Sequence, residues 1–165
     1  MDDRPSQPVI DNVYIANIFE RTAEMLEFKD ENPFKIRSYR MASEAIGAMQ
    51  VQISEIAARG AGELQRIPGI GKTISAQIVE ILETGKSAYF GELSKETPET
   101  VLDLRRVSGI GLKTAQLLYR DFGVKSLPEL KVLAEGGALA SVPGLGEKTI
   151  DRIRRSINRL ESEGR

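Results

Sequence analysis

One short pattern occurs three times in this chain and limits what it can fold into more than any other feature. Ile67-Pro68-Gly69-Ile70-Gly71 runs directly into Lys72-Thr73. Val107-Ser108-Gly109-Ile110-Gly111 is followed one residue later by Lys113-Thr114, and Val142-Pro143-Gly144-Leu145-Gly146 by Lys148-Thr149. Each copy reads apolar, Pro or Ser, Gly, apolar, Gly, and then an amphipathic helix. The first glycines stand at 69, 109 and 144, a spacing of about 35–40 residues, in the range that marks a repeated supersecondary unit.

The physics of one copy predicts the rest. A helix that ends and another that starts within a few residues need backbone angles that glycine adopts at little cost. The amides at the start of the second helix have no intrahelical acceptor. Together with the positive end of the helix dipole they form an anion site, and glycine lets another molecule approach closely. Ile70, Ile110 and Leu145 are expected to turn inward and wedge the flanking helices apart. The pattern is that of a helix-hairpin-helix, a device for gripping nucleic-acid phosphates without reading bases.

Composition removes several alternatives. The 165 residues, 41% of them hydrophobic, suffice for one core or two small ones. Without cysteine there is no disulfide or thiolate site, and without histidine the commonest general base and zinc ligand are missing. No apolar run approaches the roughly 20 residues of a membrane span, and the N-terminus lacks a signal-peptide pattern. A soluble, cytoplasmic protein is expected, with no membrane partner. The net charge of −1 conceals an asymmetry, since residues 105–165 hold 12 Lys+Arg against 7 Asp+Glu. A basic second half suits a local phosphate-binding face, although a solvated helix over Asp151–Arg159 also accounts for part of the excess.

The expected fold is all-α, because no sustained period-two apolar pattern occurs. Residues 1–10, with Pro5 and Pro8, read as a disordered leader. Helices are predicted over Asp11–Lys29 and from Asn32-Pro33 to Met49, the latter with Phe34, Tyr39, Ala42, Ile46 and Met49 as its buried stripe. Ser54 is expected to cap a short helix over Glu55–Arg59, broken by Gly60-Ala61-Gly62. Further helices are expected over Lys72–Glu83, Ser87–Lys95, Glu99–Arg106, Leu112–Phe122 and Leu127–Glu135, and from the third corner to about Ser162. Gly123 reads as a C-terminal glycine and Ser126 as an N-cap. Thr97-Pro98 suggests a division into residues 11–96 and 97–165.

Gly71-Lys72-Thr73 does not make a P-loop, because Arg66 occupies the position of that motif's first glycine and no buried strand precedes it. A dinucleotide fingerprint fails at Ile74, where a third glycine is required. A tight helix corner without a ligand remains the alternative for any single copy, above all the third. Tyr39 and Arg40 have a plain reading too, one in the core and the other solvated.

The stretch Glu31-Asn32-Pro33-Phe34-Lys35-Ile36-Arg37-Ser38-Tyr39-Arg40-Met41-Ala42, the first corner with Ile81-Leu82-Glu83-Thr84-Gly85-Lys86, and the second corner resemble the N-terminal part of family X DNA polymerases. The likeness covers nearly the whole chain and is greatest to bacterial and archaeal members. It implies tandem helix-hairpin-helix subdomains like the polymerase beta 8-kDa domain and the subdomain after it. It implies binding of gapped or nicked duplex in base excision repair, hence association with the nucleoid. Lys35, Tyr39 and Arg40 would fall on a 5′-phosphate pocket. Gly69, Ile70, Gly71, Lys72 and Thr73 would fall on DNA phosphates, as would Gly109, Ile110, Gly111, Lys113 and Thr114, and at the third corner Gly144, Gly146, Lys148 and Thr149. A Na+ or K+ ion would sit on the main-chain carbonyls of Gln65, Ile67 and Ile70, and another on those of Arg105, Val107 and Ile110.

Two departures from the family bear on chemistry. Repair members form a lysine Schiff base at a position that is Gln77 here, and an amide cannot form an imine; a neighbouring pocket lysine is replaced by Thr73. The likeness stops at Arg165, where the family's catalytic palm would begin, so polymerase chemistry is expected to lie outside these residues, in a polymerase or nuclease domain supplied separately or removed from this chain. The expectation is a non-enzymatic DNA-binding module. The alternatives are an abasic-end lyase using Lys35 or Lys72 in place of the missing lysine, and a protein-interaction scaffold without DNA affinity.

Overall fold

The computed structural model describes residues 9–60 and 62–164. The expected leader therefore lies outside the described residues for positions 1–8, as does Ala61 of the glycine break. Of the described residues 73% are helical, and no strand occurs among them. It divides into two compact units, one reaching to Leu93 and the other starting at Ser94.

The first unit is built on two packed helices, α1 (Asn12–Phe28) and α2 (Pro33–Ala48). Ile15, Phe19, Ala23, Met25 and Leu26 of α1 are fully buried, as are Ala42 and Ile46 of α2. Asp11 caps α1 by accepting the Tyr14 amide, and Asn32 caps α2 by accepting that of Phe34, with Pro33 in the first turn. The buried Asn12 ties α1 to the next helix, α3 (Ile53–Ala58). Its amide donates to the Val51 carbonyl and its oxygen accepts the Ile53 N–H. A 3-10 turn at Leu64–Arg66, α4 (Lys72–Thr84) and α5 (Ala88–Glu96) follow. The division at Leu93 falls inside α5, a few residues before Thr97-Pro98.

The second unit holds a 3-10 segment at Glu99–Arg106, α6 (Leu112–Phe122), α7 (Leu127–Glu135), a 3-10 turn at Ala138–Ser141 and α8 (Glu147–Glu163). Gly123 ends α6 in the left-handed conformation, and Ser126 caps α7. α7 packs against α8 and both 3-10 segments. Leu104, Leu118, Leu130, Leu139 and Ile153 form the fully buried centre.

Three expectations need correction. Phe34 is 79% exposed rather than buried. The buried stripe of α2 runs through Tyr39, Ala42 and Ile46 at helical spacing, and Phe34, five residues before Tyr39, falls off that face. Ser54 is not an N-cap, since α3 starts at Ile53, two residues before the expected start, behind Gln52. The segment entering each glycine corner is a 3-10 turn, not an α-helix, so each hairpin is short on its incoming side.

Candidate nucleic-acid interface

The three corners share one backbone conformation. Gly69, Gly109 and Gly144 have φ of 92°, 99° and 86°, values that strain any residue with a Cβ. The turn closes identically each time: Ile70, Ile110 and Leu145 donate their amides to the carbonyls of Ile67, Val107 and Val142 at 3.0, 3.1 and 3.3 Å. Ile70 and Ile110 are buried as the expected wedges, whereas Leu145 is only half-buried. Because their amides close the turn and their side chains are buried, Ile70 and Ile110 serve the corner's shape and offer no donor to a phosphate. That corrects their expected place among the contact residues.

The second glycines carry the functional information. Gly71, Gly111 and Gly146 are the N-caps of α4, α6 and α8, with φ of −90°, −93° and −84°, which any residue adopts. A Cβ at any of the three would meet nothing within 4 Å. Neither strain nor crowding requires glycine there. What its presence does is leave the first amides of three helices without a capping side chain, whereas α1, α2 and α7 have Asp11, Asn32 and Ser126. Uncapped amides at the positive end of a helix are a ready anion site. Lys72, Thr73, Lys113 and Lys148 are exposed beside them, with Thr114 and Thr149 half-buried.

In the first unit the corner borders a groove of about 540 Å³ lined by Lys35, Ser38, Tyr39, Gly69, Gly71, Lys72 and Thr73, among others. Lys35 and Tyr39 thus reach the corner, and a ladder of contacts fixes them there. The Tyr39 ring stacks on Tyr89 with centroids 5.7 Å apart, and the Lys35 ammonium lies 4.8 Å from the Tyr89 centroid. Hydrogen bonding to Tyr89 raises the Lys35 pKa above the ordinary lysine value, against a smaller opposing effect of desolvation. Burial raises that of Tyr39, opposed by the hydrogen bond that Gln77 Nε2 donates to its hydroxyl at 2.8 Å. The groove therefore presents a neutral phenol and a fully charged ammonium at neutral pH.

Arg40 does not join them. Its guanidinium donates to Glu27 at 2.8 Å, with Glu20 at 3.9 Å, and those contacts hold its pKa above the usual arginine range. It lines a different depression with Glu27, Arg37 and Glu44. It is therefore neither in the pocket nor simply solvated.

In the second unit the third hairpin lies against the second. A Cβ at Gly109 would meet Ile153 Cγ1 at 3.2 Å and Thr149 Cγ2 at 3.4 Å, while one at Gly144 would meet nothing. Thr149, expected on a phosphate, instead packs beside Gly109. Ser108 donates its amide to the Ser156 hydroxyl at 2.9 Å. The partners whose contacts sequence reasoning missed here and in the first unit (Tyr89, Gln77, Ser156) sit 38 or more residues from the side chains and amides they hold. Only the serine replacing proline at 108 hinted at any of them.

A helix-hairpin-helix domain family matches residues 10–87, and a SAM-like helix-hairpin-helix tandem family matches residues 101–159. The chain is a tandem of helix-hairpin-helix domains. Its helix-hairpin-helix region is similar to the DNA polymerase/3′-5′ exonuclease PolX of Bacillus subtilis, with 30% identity over 143 residues, 87% of this chain and 24% of that protein. It is 30% identical over 121 residues to the DNA nucleotidylexotransferase of Ambystoma mexicanum, covering 73% of this chain and 22% of that one. A Holliday junction branch migration complex subunit RuvA from an Acidovorax species is 29% identical over 87 residues, 53% of this chain and 46% of the relative. The chain thus spans about a quarter of the first two relatives and under half of the third. These matches agree with the resemblance to the helix-hairpin-helix region of family X polymerases. No described helix is long and apolar enough to cross a membrane.

Proposed function

We propose that this chain binds duplex DNA without sequence preference, through backbone phosphates held at its glycine corners, and that gapped or nicked duplex in repair is its preferred form. The observation that carries this reading is the trio Gly71, Gly111 and Gly146, glycines that neither strain nor packing demands at the mouths of uncapped helices. The names of the relatives, two DNA-synthesising or DNA-degrading proteins and a branch-migration subunit, support DNA as the partner. A 5′-phosphate would enter the groove of Lys35, Tyr39, Lys72 and Thr73, beside the amides of α4. A polymerase or nuclease domain acting at the same gap is the partner that fits a positioning module.

The alternative of a lyase is less well supported. A Schiff base needs an amine with a lowered pKa, and that of Lys35 is raised. No cluster of three His, Cys, Asp or Glu that could hold a metal occurs among the described residues. A cation at the corners would therefore rest on main-chain carbonyls. Those of Gln65, Ile67 and Ile70, and of Arg105, Val107 and Ile110, supply the neutral oxygens that would hold a Na+ or K+ ion. Such an ion would offset phosphate charge where no lysine reaches.

Titration with a gapped duplex, with and without a 5′-phosphate at the gap, tests the reading. Tighter binding of the phosphorylated gap is expected, and Lys35→Ala should abolish the difference. With roughly four to six phosphates engaged, log affinity should fall against log salt with a slope of about −4 to −5. Affinity that ignores both salt and the 5′-phosphate would defeat the proposal.

A further inference from the structure

The three corners differ at one position in a way that the motif itself does not explain. Pro68 and Pro143 precede the first glycine in two copies, and Ser108 does so in the second. The residue before it has one conformation throughout: φ and ψ are −76° and 123° at Ile67, −79° and 123° at Val107, and −81° and 121° at Val142. That extended geometry is the one a following proline imposes. Val107 thus already has the conformation that a proline at 108 would require. The difference between the copies is the N–H. At corners one and three there is none to satisfy, while at corner two it donates to Ser156 Oγ at 2.9 Å, and Ser156 is only 3% exposed.

Ser156 does not act alone. Ile153 and Thr149, one and two helical turns earlier on the same face of α8, lie against Gly109. A single face of α8 thus contacts two consecutive residues of the second corner. The third corner has no such support at its first glycine, where a Cβ would meet nothing within 4 Å. It also places the exposed carboxylate of Glu147 at the start of its outgoing helix, where it competes with an anion for the same amides.

We propose that α8, the outgoing helix of the third hairpin, is the splint of the second. Through Ser156, Ile153 and Thr149 it holds the Gly109–Gly111 corner in the form that accepts a phosphate. Ser156 is then a positioning residue for DNA binding, and the inference rests on the DNA reading above only for its consequence on affinity. In Ser156→Ala the Ser108 amide loses its acceptor, and the corner occupies its binding form for less of the time. In the double variant Ser108→Pro/Ser156→Ala the donor is gone as well, and the corner is expected to match the two natural proline corners.

The test compares the parent, Ser156→Ala, Ser108→Pro and the double variant in the full chain. Amide hydrogen exchange at Ile110 reports on the corner without DNA, and gapped-duplex affinity reports on its use. Ser156→Ala should speed Ile110 exchange and weaken DNA binding, each by roughly three- to ten-fold. The double variant should recover both to within about two-fold of the parent. Should Ser156→Ala unfold the second unit instead, Ser108→Pro must restore the fold. Damage that Ser108→Pro fails to reverse, or parent-like exchange at Ile110 in Ser156→Ala, overturns the splint. Exchange that responds as expected while affinity for DNA stays flat keeps the splint and removes the DNA reading at this corner.

Discussion

Gly71→Asp and Gly111→Asp are each expected to keep the fold and lose the DNA. Asp11 shows why the fold survives. It caps α1 with φ −104° and ψ −176°, accepting the Tyr14 amide at 2.9 Å. Gly71 and Gly111 have nearly the same angles, −90° and −174°, and −93° and −173°. A side chain at either position enters open space. An aspartate there can make the same cap, which stabilises a helix start by a few tenths of a kcal/mol over glycine. It would occupy the amides a phosphate needs and place a negative charge where the phosphate's own would lie. Each substitution should weaken gapped-duplex binding about ten-fold or more, roughly 1.4 kcal/mol, with the melting temperature level or slightly higher. A phosphate grip at the corners predicts that stability and affinity move in opposite directions. Variants that bind like the parent would make the corners mere bends in the chain.

Gly109→Ala should behave in the reverse sense. Its φ of 99° is strained for alanine, at about 1–3 kcal/mol. The new methyl would also press on Ile153 Cγ1 from 3.2 Å, and such overpacking adds roughly 1–3 kcal/mol. Gly144→Ala carries the strain, at φ 86°, without the crowding. Gly109→Ala should therefore lower the melting temperature of the region from Ser94 onward by more than Gly144→Ala. For a unit of this size the gap should be roughly 4–8 °C per additional kcal/mol. Equal destabilisation of the two would mean that α8 yields at no cost and is no firm support for the second corner.

Much of this architecture is visible in the sequence, and what is hidden follows a physical rule. The caps at Asn32 and Ser126 and the stop at Gly123 are local events, decided by residues within one turn of each other, and the residue types there mark them. Phe34 misled because an aromatic near a helix start looks like core, while its position on the wheel puts it outside. Ser54 misled because its competitor for the start of α3 was Asn12, about 40 residues away, whose side chain captures the Ile53 amide. At the site, the glycine corners were legible because strained turns tolerate few residues. The direction of Arg40 was not, since nothing local distinguishes a guanidinium facing a groove from one bound to Glu27 on the neighbouring helix. The Tyr89 and Gln77 contacts that hold Lys35 and Tyr39 join segments far apart in sequence, and one chain carries no record of such pairing.

The engagement of Arg40 by Glu27 has a consequence for how the chain meets its partner. With that cation matched and a net charge of −1, the molecule projects little attraction past the Debye length of about 8 Å at physiological ionic strength. Peptide dipoles at the corners act only on contact, and the exposed Lys72, Lys113 and Lys148 beside them are screened over the same distance. Encounter rates should then be those of unguided collision, about 10⁵–10⁶ M⁻¹s⁻¹ rather than the steered range. Selectivity would reside in how long the chain stays, and undamaged duplex would release it quickly.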